Sequence, residues 1–269
     1  MSKIPVAVLV TTRNEEARIV PCLQALQDFS EIVVIDSAST DRTVQRAQVG
    51  GARVVNFVWD KTYPKKRQWC LDHLELAHDW ILFIDADEMM TSALADEIRQ
   101  TIKAPACSGY FIKGRYVVAG QVLRHGLCND KLVLFDRRCF RFPVVNDLDI
   151  QGMGEMEGHY QPVAIHGEEI GRLKSFMLHY AYNGGESWEA RHRRYAQWEA
   201  DMNARQAWPV DPVASRQKLK EMFRALPCRG LIAFVYSYLV KGGFLDGVAG
   251  FRLARDRYRY YVLVARSRQ

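Results

Sequence analysis

Short β-branched runs alternate with helical stretches through the first hundred residues, and this alternation narrows the possible folds more than any other feature of the chain. Residues 4–10, 32–35, 52–57 and 80–84 are apolar enough along their whole length to be strands covered on both faces. Residues 21–29, 41–50 and 66–78 have the character of helical crossovers. Pro21 suits a first helical turn, and Gly50-Gly51 suits a helix C-terminus. Strand, helix, strand, helix implies a parallel sheet with right-handed crossovers. A chain of 269 residues, 48% of them apolar, can bury the core such a sheet requires.

In a sheet of this kind ligands bind beyond the carboxyl ends of the strands, and the polar residues fall there. Thr11-Thr12-Arg13-Asn14-Glu15-Glu16 follows the first strand, Asp36-Ser37-Ala38-Ser39-Thr40-Asp41 the second, and Asp85-Ala86-Asp87-Glu88 the fourth. Three such clusters on one edge form a site. Asp85 and Asp87, one residue apart just past an apolar strand, can hold a hard divalent cation whose remaining positions suit diphosphate oxygens. An ordinary acidic turn is the alternative for those two residues. Asp36 can accept from a uracil or thymine imide or a ribose hydroxyl, or it can cap a turn. Lys65, Lys66 and Arg67 supply cations near the position of a diphosphate. The first strand lacks a following Gly-x-Gly-x-x-Gly, which disfavours a dinucleotide-binding Rossmann fold.

Further strands are expected over residues 110–118 and 131–135, and residues 144–171, rich in glycine and acids, read as a substrate-facing loop region. From about Glu186 the chain turns helical, over 188–202 and 216–225, with Trp208-Pro209 and Asp211-Pro212 as breakers. The net charge of +6 is unevenly placed. Residues 216–269 hold 12 Lys and Arg against 3 Asp and Glu, whereas residues 1–215 hold 25 against 28. On a helix over 248–265, Arg252, Arg255, Arg259 and Arg266 share one face, and Phe251, Ala254, Tyr258, Tyr261 and Ala265 form a neighbouring apolar stripe. That pattern suits anionic lipid headgroups, or else a stripe packed on the catalytic domain with its arginines in water. No apolar run approaches the length of a membrane span, and the N-terminus does not read as a signal peptide, so a cytoplasmic location is expected, peripheral on the inner face of the membrane. Six cysteines without a Cys-x-x-Cys pair read as free thiols, most of them buried.

Thr12-x-Asn14-Glu15-Glu16, Cys22-Leu23, the run Glu31 through Thr43 and Trp80 through Glu88 together resemble glycosyltransferase family 2, and most closely its branch like the lipopolysaccharide-core glucosyltransferases. The resemblance continues more weakly through Gly171-Arg172-Leu173-Lys174, Leu178-His179-Tyr180, residues 194–200 and residues 241–250. It implies a GT-A fold, an α/β, mostly parallel sheet with a C-terminal helical extension. It also implies a nucleotide-sugar donor, UDP-linked by expectation, a divalent metal (Mg2+ or Mn2+) and inversion at the anomeric carbon. By position Thr11, Arg13 and Glu15 would line the nucleotide, Asp36 would meet the base, and Lys66, Arg67 and Ala86 would complete the donor site. Asp85 would serve ribose and metal, Asp87 would be the principal metal ligand, and His179 a third. An inverting displacement needs a base for the acceptor hydroxyl. The family often places His-Glu after the middle strands, but here Gly158-His159-Tyr160 puts a tyrosine where that glutamate would be. Glu157 is the first choice of base, with Glu155 and Asp147 behind it.

The expected division is 1–180 for the GT-A domain, with 1–100 as its nucleotide-binding half and 101–180 as its acceptor half, and 181–269 for the basic extension. The acceptor would be a saccharide or lipid-linked glycan of lipopolysaccharide or cell-surface polysaccharide. Two rivals remain: a sugar-phosphate nucleotidyltransferase, although the first loop lacks the glycines such enzymes use, and a non-catalytic membrane- or nucleic-acid-binding protein led by its basic tail, which would leave three acidic strand ends unexplained.

Overall fold

The computed structural model describes residues 2–157, 160–182 and 187–267. The expected alternation is present as β1 (Ile4–Thr12), α1 (Ile19–Ala25), β2 (Phe29–Asp36), α2 (Thr43–Val49), β3 (Arg53–Asn56), α3 (Lys66–His73) and β4 (Trp80–Asp85). After it come β5 (Glu88–Met89), α4 (Ser92–Thr101), β6 (Gly109–Val118), β7 (Gln121–Val122), β8 (Asn129–Asp136), β9 (Phe140–Arg141), β10 (Val163–Ala164) and β11 (Ile170–His179). The chain closes with α5 (Trp188–Arg205), α6 (Ala214–Ala225), α7 (Arg229–Val235) and α8 (Gly247–Arg266). A π-helical turn, Tyr236–Val240, prolongs α7, and a 3-10 turn, Gly243–Asp246, leads into α8.

The principal sheet runs β3-β2-β1-β4-β8-β6-β11-β5, with β7 hairpinned onto β6. β1 pairs in parallel with both β2 and β4, β8 is antiparallel to β4 and β6, and β11 is parallel to β6. The carboxyl ends of β1, β2, β4, β6 and β11 therefore open on one edge, where the start of β8 also lies. The central strands are apolar because helices cover both faces: Ile4, Val6 to Val10, Val33 to Ile35 and Ile81 to Ile84 are all buried.

Three expectations about the elements are corrected. The first and third crossovers end sooner than periodicity suggests, since α1 stops at Ala25 and Phe29 already opens β2, and α3 stops at His73, where Leu74 turns extended and the Ala77 N–H is held by Glu31. β11 and α4 were not anticipated as elements. β11 interleaves Arg172, Lys174 and Ser175 with its apolar residues, and its strand form comes from pairing with β6. Of the six free cysteines only Cys22 and Cys70 are buried, and Cys128 and Cys228 are exposed.

The basic helix over the tail forms as expected, but its packed face differs in part. α8 packs on α5 through Tyr260 and Val264, which cluster with Ala196 and Ala200, and on the β6–β7 hairpin through Ala249 and Leu253, which cluster with Val118 and Leu123, whereas Phe251 and Tyr258 remain 44% and 43% exposed. The expected apolar stripe is partly in the contact: Ala254 is buried, Phe251 meets Phe234 and Tyr238, and Tyr261 meets Phe223, whereas Ala265 is exposed. Arg252, Arg255, Arg259 and Arg266 are exposed.

Candidate functional site

The loops after β1 and β2 are sewn to each other. Asn14, at φ 55°, donates its N–H to Ser39 Oγ at 2.8 Å and accepts from the Thr40 N–H at 2.8 Å. The Glu15 N–H donates to Thr43 Oγ1 at 2.7 Å, and the Glu16 N–H to Asp41 at 3.1 Å. Much of the polar signature of these loops therefore holds one to the other and shapes the edge of the cleft. Asp36 belongs partly to this stitching, since its carboxylate accepts from the Ser39 N–H at 2.8 Å and from Ser39 Oγ at 2.5 Å. Arg13 stands exposed on the first loop, and Glu15 is paired with Arg18.

Asp85 ends β4 inside a cluster of partners. Its carboxylate accepts from Thr11 Oγ1 at 2.8 Å, from Arg67 at 3.1 Å and from Lys131 Nζ at 2.9 Å. Lys131 also reaches Glu88 at 2.6 Å, and Glu88 accepts the Asp85 N–H at 3.0 Å. Burial by itself raises a carboxyl pKa, but Lys131 and Arg67 outweigh it and hold Asp85 well below the usual carboxylate range. The same pairing raises Lys131 above an ordinary lysine despite its burial. The Ala86 N–H meets the Thr11 carbonyl at 3.3 Å, which fixes the turn between the two carboxylates.

Asp87 has a different environment. Its nearest charged neighbours are His179 Nε2 at 3.6 Å and Arg18 Nη1 at 4.0 Å, both beyond ordinary hydrogen-bond length. Burial disfavours the ionised form, yet His179 and Arg18 hold Asp87 below its ordinary value, and Asp87 in turn raises His179. Sheet topology creates this pair: His179 is in antiparallel register with Glu88, and the Tyr180 N–H bonds the Asp87 carbonyl at 2.8 Å. Arg18 Nη1 is buried with no hydrogen-bond partner among the described residues, 4.0 Å from the Asp87 carboxylate.

The three candidate bases occupy three environments along the segment that packs on the N-terminus of α3. Asp147 is sealed in, with Lys65 at 2.7 Å, Tyr63 OH at 2.9 Å and Trp198 Nε1 at 3.1 Å. Glu155 pairs with Lys66 at 2.6 Å and is partly open to solvent. Glu157 is buried and accepts the Gln68 N–H at 3.0 Å; burial pushes its carboxyl up, and neighbouring Arg67 only partly opposes this. Arg67 thus stands between Glu157 and Asp85. Gly158 and His159 lie outside the described residues.

Sequence reasoning missed Lys131 and Arg18. The signal for Lys131 was a lysine at the head of an otherwise apolar strand, directly across from Asp85 once β8 pairs with β4. α5, in the expected C-terminal extension, places Trp198 in the principal core, and its Arg191 donates to the Ala181 carbonyl.

Residues 7–137 match the model of glycosyl transferase family 2. They form a family 2 glycosyltransferase domain. The chain is 34% identical over 99 residues to an uncharacterized glycosyltransferase of Rickettsia typhi, covering 35% of this chain and 31% of that protein. It is 29% identical over 106 residues to a lipopolysaccharide core biosynthesis glycosyltransferase of Rhizobium meliloti, covering 38% of each. The matches thus span about a third of these curated relatives. A mannosyltransferase from Pyrobaculum calidifontis, solved with GDP-Man and Mn2+, shares the fold of this chain with a TM-score of 0.55 and 15% identity, covering 100% of this chain and 88% of that one. The family 2 domain accordingly has the GT-A fold, and the helices that follow it are present as expected.

Proposed function

We propose that the chain is a metal-dependent, inverting glycosyltransferase that moves a sugar from a nucleoside diphosphate, UDP by preference, to a saccharide or lipid-linked glycan acceptor. The observation that carries this reading is the meeting of Asp87 with His179 beside the Asp85, Arg67 and Lys131 cluster, at the edge where an open α/β sheet binds its ligand. The Asp87 carboxylate and the His179 nitrogen would be two protein ligands for Mg2+ or Mn2+, and the donor diphosphate would supply further oxygens. Asp85, saturated by Thr11 and two cations, acts as the organiser of the site more than as an open ligand.

A bound divalent ion stabilises the charge that builds on the departing diphosphate. Arg67 and Arg18 add fixed positive charge on the same side. Thr11, Arg13, Glu15, Asp36, Lys66 and Ala86 line the nucleotide side of the cleft in this proposal. Glu157 takes the proton of the acceptor hydroxyl: burial pushes its carboxyl above its ordinary value, which Arg67, the partner of Asp85, only partly opposes. Asp147, closed in by Lys65, positions the loop, and Glu155 holds that loop to α3.

By analogy with the Rhizobium relative's name, the product belongs to lipopolysaccharide or another cell-surface polysaccharide, made at the inner face of the cytoplasmic membrane. Residues 1–180 act as the transferase domain, with 101–180 on the acceptor side, and 181–269 as the extension that meets the membrane.

The test is a thermal-shift panel of UDP, dTDP, GDP and ADP with and without Mg2+ or Mn2+, on wild type and Asp87→Asn. GDP is included because the Pyrobaculum neighbour was solved with a guanosine donor. One diphosphate should raise Tm only with metal, and Asp87→Asn should abolish the rise while leaving the unliganded Tm close to wild type. Equal stabilisation of Asp87→Asn would overturn the metal assignment.

A further inference from the structure

Nine of the twenty exposed large apolar side chains among the described residues fall between Leu231 and Phe251. Single exposed apolar side chains need no explanation, but a contiguous run of this kind does. Leu231, Val235 and Leu239 recur every four residues along α7 and its π-helical continuation. Beyond the turn, Val240, Leu245 and Val248 are 67%, 61% and 86% exposed. The two helical arms meet at a 72° bend, and no single helix among the described residues is long and apolar enough to cross a membrane.

The bend is built into the fold. Gly242 and Gly247 take φ 70° and 61°, and a Cβ on Gly250 would sit 1.9 Å from the Gly243 carbonyl oxygen. Only glycines let the arms approach so closely. Phe251 meets Phe234 and Tyr238 at 5.9 and 5.8 Å between ring centroids, which locks one arm to the other.

The elbow is also fastened beside the cleft. Asp246 accepts the His125 N–H at 2.7 Å, and the Gly126 N–H donates to the Lys241 carbonyl at 2.9 Å, so the loop that follows β7 carries the elbow. From α8, Arg257 donates to Tyr116 OH at 2.7 Å; Tyr116 stacks on His179 at 5.0 Å, and His179 faces Asp87. Basic residues flank the apolar tip along the chain: Lys241 within the elbow, Arg124 on the loop that carries it, and Arg252 and Arg255 on the first turns of α8, all exposed.

We infer that this elbow, residues 239–248, is the element that enters an anionic lipid surface, with the flanking basic residues meeting the headgroups and the catalytic cleft held next to the bilayer. The inference rests on the proposed membrane location and names the part that inserts. An apolar tip flanked by basic residues is the chemistry of shallow insertion into anionic lipid, and the +9 balance of residues 216–269 supplies the attraction. A lipid-linked acceptor could then reach Asp87 and His179 without leaving the membrane.

The experiment uses the full chain with sedimenting vesicles of phosphatidylethanolamine and phosphatidylglycerol, and with phosphatidylcholine alone. The variants are Leu239→Glu, Leu245→Glu and the reporter Leu245→Trp, each checked by circular dichroism for fold. Wild type should sediment with the anionic vesicles and less so in high salt. Each Glu variant should lower the partition coefficient by about tenfold or more, and Leu245→Trp fluorescence should be quenched by brominated acyl chains. If wild type binds while the Glu variants bind equally and the reporter is not quenched, the elbow assignment is overturned and the membrane reading stands. If wild type stays in the supernatant, both are overturned. A lipid-free dimer that the Glu variants dissolve would assign the patch to a second copy of this chain and overturn the lipid partner. Should a Glu variant fail to fold, quenching of the reporter decides the question alone.

Discussion

At the scale of single residues, two carboxylates near Arg67 are driven in opposite directions. Glu157 has a folded pKa raised above its ordinary 4.5 by burial, so the folded state holds its proton more tightly than the unfolded one. Stability from this group therefore falls as pH rises from about 4.5 through the folded value. Glu157→Gln keeps an oxygen for the Gln68 N–H and removes the titration. Its Tm should gain on wild type as pH rises through that window, while kcat drops roughly 10²- to 10⁴-fold; an unchanged kcat would remove Glu157 from the base role. Asp85 has the reverse sign. Its folded pKa lies below the ordinary 3.8, so its contribution is fully present above that value and is lost only as pH falls further. Lys131→Met leaves Asp85 and Glu88 sharing a buried site without their lysine, and denaturant unfolding should show a loss of about 3–5 kcal/mol. Lys131→Arg should recover part of it.

At the scale of elements, the position of the loop bearing Glu155 and Glu157 depends on a close approach to α5. Gly152 sits at φ 117°, and a Cβ there would lie 2.4 Å from the Arg194 carbonyl oxygen. Gly152→Ala should therefore destabilise by about 1–3 kcal/mol or more and lower turnover as the loop moves. Gly120, at φ 80° with nothing within 4 Å of its Cβ position, is the control: Gly120→Ala carries the backbone strain without the clash. Thermal melts and initial rates of the two variants separate these effects, and equal behaviour would mean that the approach to α5 is not what holds the loop.

At the scale of the whole molecule, α5 is packed into the core of the sheet that precedes it. Trp198 is fully buried in the principal core together with Met202, and its indole N–H bonds the carboxylate that pairs with Lys65. A chain ending at residue 181 would expose that core face and leave the Asp147 and Lys65 pair uncovered. It should lose its cooperative melt by circular dichroism; a sharp transition near the wild-type Tm would instead support two independent units.

The strands over the first hundred residues, their parallel order and the three polar clusters at their ends were legible in the sequence. Continuous β-branched runs and glycine punctuation are local signals, and the physics of a doubly covered sheet turns them into an architecture. Asp85 and Asp87 could be named as a pair for the same reason, since a turn after a buried strand leaves few places for them. What local pattern could not supply was partnership across the sheet. The division of labour between the two aspartates follows from Lys131 lying opposite Asp85 on β8 and from His179 arriving on β11, a strand whose mixed composition gives no strand signal until β6 and β5 pair with it. The packed face of α8 likewise depended on partners distant in the chain, α5 at Tyr260 and Val264 and the β6–β7 hairpin at Ala249 and Leu253. Sequence determined which residues could do chemistry; tertiary pairing decided which of them face a ligand and which are spent on each other, because charge compensation in a buried site acts between residues distant in the chain.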